Sequence, residues 1–365
     1  MELSDVTLRE GDQMPGREFT TEQKIQAVRE LDDLGVPYIQ PVFPVTGEKD
    51  RTVLAELAGT TDAEIIALAR ALSSDIELAL DGGADIVEVF LSVSDRHLEH
   101  LLGKSRREME TMLVDAVDYV TDHGGIPHVT LADAFRTDVN DLVRIFELLT
   151  DPPVVTLADS VGVRTPSSTR HFLKELESNG VNLGRVGVHF HDDLGCATAN
   201  ALTAYEMGVA KADASIAGLG ERAGNSVLEE VIAACAVDFD DSLGIHEEAL
   251  VPTCRRVLET VDESYDERKA VLGSKTAEHE SGIHTAAMLS DPATLEPFDP
   301  TRFGGERQLW FGAPTGTGAA RWLLERAGVA ADKNTVAAYL DALAERGPLN
   351  LDDALQLATH QFGES

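Results

Sequence analysis

Short runs of apolar and β-branched residues recur at residues 6–8, 38–40, 65–68, 86–90, 128–131, 154–157, 186–189 and 212–216. Helical spacing of apolar positions follows them. After the first run, Thr20-Thr21-Glu22-Gln23 reads as a capping box, Ile25, Val28 and Leu31 share one helix face, and Gly35 is placed to end that helix. Met109, Met112, Leu113, Ala116, Val117 and Val120 mark a second clear helix. Strands that alternate with helices pair in parallel, and eight such units over about 230 residues fit an α/β closed (β/α)8 TIM barrel. A doubly wound Rossmann-type sheet is the runner-up, weakened because no GxGxxG follows an early strand. Beyond a helix that begins after Asn225 the pattern changes to shorter helical pieces, a Gly/Pro-rich stretch over 292–318 and a helical end over 319–362. The expected division is a barrel over 1–255 and a C-terminal linker with a helical subdomain over 256–365.

Composition adds a compartment and removes some partners. Of 365 residues 43% are hydrophobic and 26% charged, enough apolar material for a sizeable core. Acidic residues number 64 against 30 basic ones, for a formal net charge of -34. They are spread in pairs such as Asp32-Asp33 and Glu229-Glu230 rather than gathered in a tail, so the expectation is a uniformly acidic surface suited to a high-salt cytoplasm. Such a surface repels phosphate backbones and anionic headgroups, which argues against nucleic-acid and membrane partners. The three cysteines show no CxxC spacing and point to a reducing, cytoplasmic setting. The N-terminus does not read as a signal peptide, and no uninterrupted apolar run reaches the roughly 18 residues of a membrane span.

Chemistry concentrates at the ends of the expected strands. His189-Phe190-His191-Asp192-Asp193 closes the seventh; positions i and i+2 share a strand face, so two imidazoles can meet one ion. A hydrogen-bonded histidine pair is the alternative. Thr7-Leu8-Arg9-Glu10-Gly11-Asp12-Gln13 closes the first. In a closed barrel strand one pairs with strand eight and lies near strand seven, so Glu10 could complete a carboxylate and two-histidine set for a divalent ion used as a Lewis acid. Arg9 beside it could stabilise oxyanion charge, although a surface ion pair would look the same. Three glycines in 218–225 demand unusual backbone or close approach. Thr130-Leu131-Ala132-Asp133 and Thr156-Leu157-Ala158-Asp159 form an internal echo whose aspartates either do chemistry or cap the next segment.

Together the Leu8-to-Gln13 opening, HFHDDLGCATAN at 189–200, GLGERAGN at 218–225 and HESGIH at 279–284 resemble the metal-dependent Claisen-condensing barrel family. That family includes homocitrate synthase, 2-isopropylmalate synthase and citramalate synthase, and is related to 3-hydroxy-3-methylglutaryl-CoA lyase. The resemblance implies a divalent metal (Mg, Mn or Zn) held by Glu10, His189 and His191 with Asn225 close by. It gives Arg9 a role in carbonyl polarisation, Gln13 contact with the 2-oxo acid, and Arg136 and Ser160 recognition of its distal end. His284 is implied as part of the base, supplied by the C-terminal segment across a homodimer interface. Acetyl-CoA and a 2-oxo acid are the implied substrates, with homocitrate synthase-type chemistry on 2-oxoglutarate ahead of 2-isopropylmalate or citramalate synthesis. The chain departs from the family pattern at Gln40, where a glutamate often stands, at Ala132 in place of a glutamate, and at Leu295 in place of a tyrosine. Ala132 and Leu295 support a reading of another class, a catalytically reduced metabolite-binding paralogue.

Overall fold

A computed structural model describes residues 1–280 and 282–363. Eight parallel strands close into a barrel in chain order: β1 (Glu2–Asp5), β2 (Tyr38–Val42), β3 (Glu64–Arg70), β4 (Ile86–Ser92), β5 (Ile126–Ala132), β6 (Val155–Asp159), β7 (Val186–Phe190) and β8 (Lys211–Ala214). Closure is made by β1 against β8, with Glu2 opposite Lys211 and Asp5 opposite Ala214. Helices between the strands cover the outside. The helix Thr21–Leu34 starts on the expected capping box, Thr20 Oγ1 accepting from Gln23 N–H at 3.2 Å and Gln23 Oε1 from Thr20 N–H at 2.9 Å. It ends at Gly35, whose φ of 91° places it in the left-handed region. Its apolar stripe, Ile25, Val28 and Leu31, is buried as the spacing requires. The helix Arg106–Asp122 likewise buries Met109, Leu113, Ala116, Val117 and Val120.

The first strand is not where the apolar triplet 6–8 suggests. It runs from Glu2 to Asp5, and Thr7–Gly11 is a short helix. Asp5 causes the break: its Oδ1 accepts from Thr7 N–H at 3.0 Å and its Oδ2 from Thr7 Oγ1 at 2.6 Å, a local turn that stops the strand and starts the helix. Arg9 and Glu10 are therefore presented from a helical turn above β1. His191 also lies one residue past the end of β7, in an isolated antiparallel bridge with Asn225.

Burial pushes the Asp5 carboxyl up to about 7, partly offset by the two bonds from Thr7. Its folded value exceeds its unfolded one, so the acid favours the fold fully below about 3.8 and that advantage is lost as pH rises toward 7. By neutral pH the ionised form costs up to roughly 4 kcal/mol. Asp5→Asn is expected to flatten the fall in stability of the wild type between pH 4.5 and 7, read by urea denaturation; parallel pH dependences of variant and wild type would contradict this.

Two compact units are present: Met1–His246 with Pro252–Ser264, and Glu247–Val251 with the chain from Tyr265 onward. In the second unit the helices Thr317–Arg326, Lys333–Arg346 and Leu351–Phe362 contribute to a core containing Leu323, Tyr339, Leu343 and Ala358. Tyr339 Oη, fully buried there, donates to Ala354 O at 2.6 Å.

Candidate metal centre at the barrel mouth

Glu10 above β1 and His189 at the end of β7 are separated by β8, yet Glu10 Oε1 lies 3.5 Å from His189 Nε2. His189 Nε2 is 3.4 Å from His191 Nε2, and one ligand atom from each of the three residues lies within 4.8 Å of the others. All three side chains are buried. Asp213 on β8 fixes the tautomer of His189: Oδ2 lies 3.1 Å from Nδ1, which must therefore carry the proton, leaving the Nε2 lone pair toward Glu10 and His191. Burial, and after it the neighbouring His189, push the His191 imidazole down to about 3, so it stays neutral at physiological pH. Burial alone would raise Glu10, but Arg9 and the two histidines outweigh it and hold the carboxyl below its ordinary value.

Among the described residues Glu10 Oε2 and Asn225 Oδ1 are buried without a hydrogen-bond partner. A carboxylate and two imidazoles converging on one point, with the free Glu10 Oε2 beside them, are the donor chemistry of a divalent cation. Asn225 Nδ2 faces His189 Nε2 at 3.3 Å, so its oxygen reaches the same point once the amide is turned, an orientation that only the surrounding hydrogen bonds define.

The glycines of 218–225 make this approach possible. A Cβ at Gly220 would fall 1.9 Å from Asn225 Oδ1 and 3.5 Å from Glu10 Cβ. Gly224 has φ +88°, and a Cβ there would fall 1.9 Å from Gly218 O.

Around Glu10, His189 and His191 is a cavity of about 230 Å³, whose lining includes Arg9, Gln13, Gln40, Glu88, Ala132, Ser160 and Arg222. A second cavity of about 450 Å³ shares Arg9, Gln13 and Phe43 with it and includes Arg17, Lys24 and Lys49. Arg9 Nη1 pairs with Glu10 Oε1, and Arg9 Nε donates to Gln40 Oε1 at 2.7 Å. Ser160 Oγ accepts from Asp133 N–H at 2.8 Å.

Arg136 and His284 lie outside this lining. Arg136 forks onto Asp133, with Nε–Oδ1 and Nη2–Oδ2 both 2.7 Å, and does not line the cavity. Of the echoed aspartates, Asp133 anchors an arginine, whereas Asp159 accepts from the N–H groups of Val163 at 3.1 Å and Arg164 at 2.9 Å and closes a turn. His284 is exposed on the helix Gly282–Met288 of the second unit.

Sequence reasoning passed over the groups beneath Glu10, His189 and His191. Glu88 on β4 and Lys211 on β8 are not on neighbouring strands, so their 3.2 Å ion pair crosses the barrel interior. Lys211 also lies 3.2 Å from Asp213 Oδ1, behind His189. Arg222, within the motif at 218–225, forks onto Asp193 at 2.9 Å and donates to Ser160 O at 2.9 Å. The available signal was charge at inward period-2 positions, Glu88 within Ile-Val-Glu-Val-Phe and Lys211 with Asp213 in Lys-Ala-Asp-Ala.

Fold and site together define a (β/α)8 barrel with a carboxylate and two-histidine centre at the C-terminal ends of its strands, where barrel enzymes keep their chemistry. More narrowly, the HMGL-like family model matches residues 1–251, and the chain belongs to that family. A homocitrate synthase post-HMGL domain-like model matches residues 271–347. Homocitrate synthase AksA of Methanopyrus kandleri is 38% identical over 346 residues, 94% of this chain and 87% of that protein. The 2-isopropylmalate synthase of Methanocaldococcus jannaschii is 33% identical over 94% of this chain and 67% of its own length. Among solved structures, hydroxymethylglutaryl-CoA lyase from Pseudomonas aeruginosa aligns with a TM-score of 0.64 at 25% identity, covering 72% of this chain and 93% of that one.

Proposed function

We propose that the protein condenses acetyl-CoA with a 2-oxo acid and releases CoA, an acyl-to-alkyl transfer. The observation that carries this reading is the convergence of Glu10, His189 and His191 beside Arg9 in a chain that aligns along most of its length with homocitrate and 2-isopropylmalate synthases. A divalent ion on those three ligands, Mg2+, Mn2+ or Zn2+, with Asn225 adjacent, supplies Lewis-acid polarisation of the acceptor ketone when bound. The chain's own groups do the rest. Gln13 binds the oxo acid within the smaller cavity, Ser160 marks its distal end, and Arg136 serves there once released from Asp133. Arg9 stabilises the negative charge that develops on the ketone oxygen as the new carbon–carbon bond forms. His284 from a second copy takes the proton from the acetyl methyl group, and water then cleaves the thioester. The larger cavity, which shares Arg9, Gln13 and Phe43 with the first, gives room for the thioester arm.

Likeness to homocitrate synthase AksA puts 2-oxoglutarate first among acceptors, with the acceptors of 2-isopropylmalate and citramalate synthesis next. The test is CoA thiol release from the purified protein with acetyl-CoA and a panel of 2-oxo acids, in molar salt with each metal. Release with an acceptor supports the enzyme reading; none with any acceptor, despite bound metal, leaves the metabolite-binding paralogue that Ala132 in the cavity lining favours.

His284→Ala is expected to lower turnover by about 100-fold or more while metal binding stays unchanged. Mixing it with an inactive metal-site variant should restore activity in hybrid dimers; no restoration would place His284 outside a shared site. A cytoplasmic, high-salt setting is part of the same proposal. It is supported by three free cysteines, by the charge of -34, and by the finding that no helix among the described residues is long and apolar enough to cross a membrane. Stability should rise between about 0.1 M and molar salt as repulsion among surface carboxylates is screened, and equal melting temperatures at both ends would refute the salt adaptation.

A further inference from the structure

Gln40 stands between two groups whose hydrogen-bonding character is fixed. Arg9 Nε can only donate and lies 2.7 Å from the Gln40 side chain, so the amide must present Oε1 to it. Gln40 Nε2 then has to donate in the other direction, where it meets Glu88 Oε2. Glu88 Oε1 accepts from Thr130 Oγ1 at 2.7 Å, from Lys211 Nζ at 3.2 Å and from Thr156 Oγ1 at 3.3 Å. Lys211 is donor-only and fully buried. The chain Lys211 to Glu88, Gln40 and Arg9 therefore has donor-only groups at both ends and one acceptor-only group within it. Only an acceptor-only carboxylate at position 88 lets every bond form at once.

Glu88 does not itself act as the base. It is fully buried, and four donors already occupy its two oxygens. Its connection to the reacting centre runs through Gln40 to Arg9, whose guanidinium meets Glu10 at the metal centre. We propose that Glu88, braced by Lys211, is a positioning residue that sets the direction of the Gln40 amide and thereby holds the Arg9 guanidinium at the barrel mouth. The consequence for turnover rests on the role of Arg9 in the proposed condensation; the consequence for Arg9 itself does not.

The substitution E88Q keeps shape but puts two donors where only an acceptor fits. The Gln40 amide then turns, and Arg9 Nε loses its acceptor. Expected results are Mn2+ affinity within about twofold of wild type by calorimetry, since no ligand is touched, and a fall in kcat of about 100-fold, the scale of losing one oriented oxyanion donor. In metal-free protein the Arg9 Nε–H resonance should lose its downfield, exchange-protected position. The exchange variant Q40E/E88Q restores the direction of the chain, because the carboxylate introduced at position 40 accepts both from Arg9 and from the amide introduced at 88. It should recover most of the turnover and the Arg9 resonance.

Wild-type turnover and an unmoved resonance in E88Q would overturn the proposal. So would an exchange variant as impaired as E88Q, or loss of the Mn2+ site in E88Q, either of which would make Glu88 a structural group of the barrel. Should the wild type release no CoA with any acceptor, the functional reading fails alone, and the Arg9 resonance in E88Q and Q40E/E88Q still decides whether Glu88 positions Arg9.

Discussion

His191→Ala is expected to abolish metal binding and turnover together while leaving the barrel folded. The side chain supplies one of three converging ligand atoms, and its ring does not pair elsewhere in the way that His189 pairs with Asp213. Loss of an outer partner of a metal ligand commonly costs 10–100-fold in affinity, so loss of the ligand itself should exceed about 100-fold. The fold should survive because His191 follows the last residue of β7 and its imidazole, already neutral at physiological pH, leaves no buried charge behind. Calorimetry with Mn2+, CoA release and the melting temperature of the metal-free protein separate these effects. A variant that still bound one equivalent of metal with wild-type affinity would remove His191 from the ligand set.

The barrel was legible because its outer layers obey simple periodicities. Ile25, Val28 and Leu31 on a capped helix, or the runs that became β3 and β4, are apolar wherever they face the interface between sheet and helices. The interior of the barrel obeys a different rule. Glu88, Lys211 and Asp213 sit on strands whose alternation reads as half-exposed, since a charged residue between apolar neighbours ordinarily faces water. Closure turns those positions inward, and charges from strands distant in sequence then neutralise one another across the interior. Strand β1 was misplaced for a related reason: Ser4 and Asp5 are fully buried polar residues, so the adjacent apolar triplet looked the better strand. The convergence of Glu10, His189 and His191 was legible because ordered motifs placed them at strand ends. The pairing of Arg136 with Asp133 was not legible, because an arginine three residues after an aspartate carries no sign of whether that aspartate will claim it.

Lys211→Met should have the largest effect on stability. Lys211 is wholly buried, with Glu88 Oε1 and Asp213 Oδ1 each 3.2 Å from Nζ. Burial opposes its charge, but the two carboxylates outweigh burial and hold the ammonium above its ordinary value. Asp213, likewise opposed by burial, is held below its ordinary value by Lys211 and by the bond with His189. Methionine fills a similar volume yet leaves two carboxylates without their shared cation, and breaking a buried ion pair in this way costs about 3–5 kcal/mol. Against a total stability of roughly 5–15 kcal/mol, that is a large fraction. The deficit depends on pH with a definite sign. In the wild type the depressed Asp213 contributes stability above its unfolded value of 3.8, and this contribution is lost as pH falls through the folded value. In the variant Asp213 loses the charge that most depresses it, so it bears more of its ionisation cost as pH climbs past 3.8. The gap between the two proteins should therefore be widest at neutral pH and close toward pH 4, as urea denaturation at pH 4.5 and 7.5 can measure. Adding E88Q removes one of the stranded charges and should recover part of the neutral-pH loss. A deficit of equal size at both pH values, unrelieved by E88Q, would mean that Lys211 contributes packing rather than charge, and that the carboxylates behind His189 and Gln40 do not depend on it.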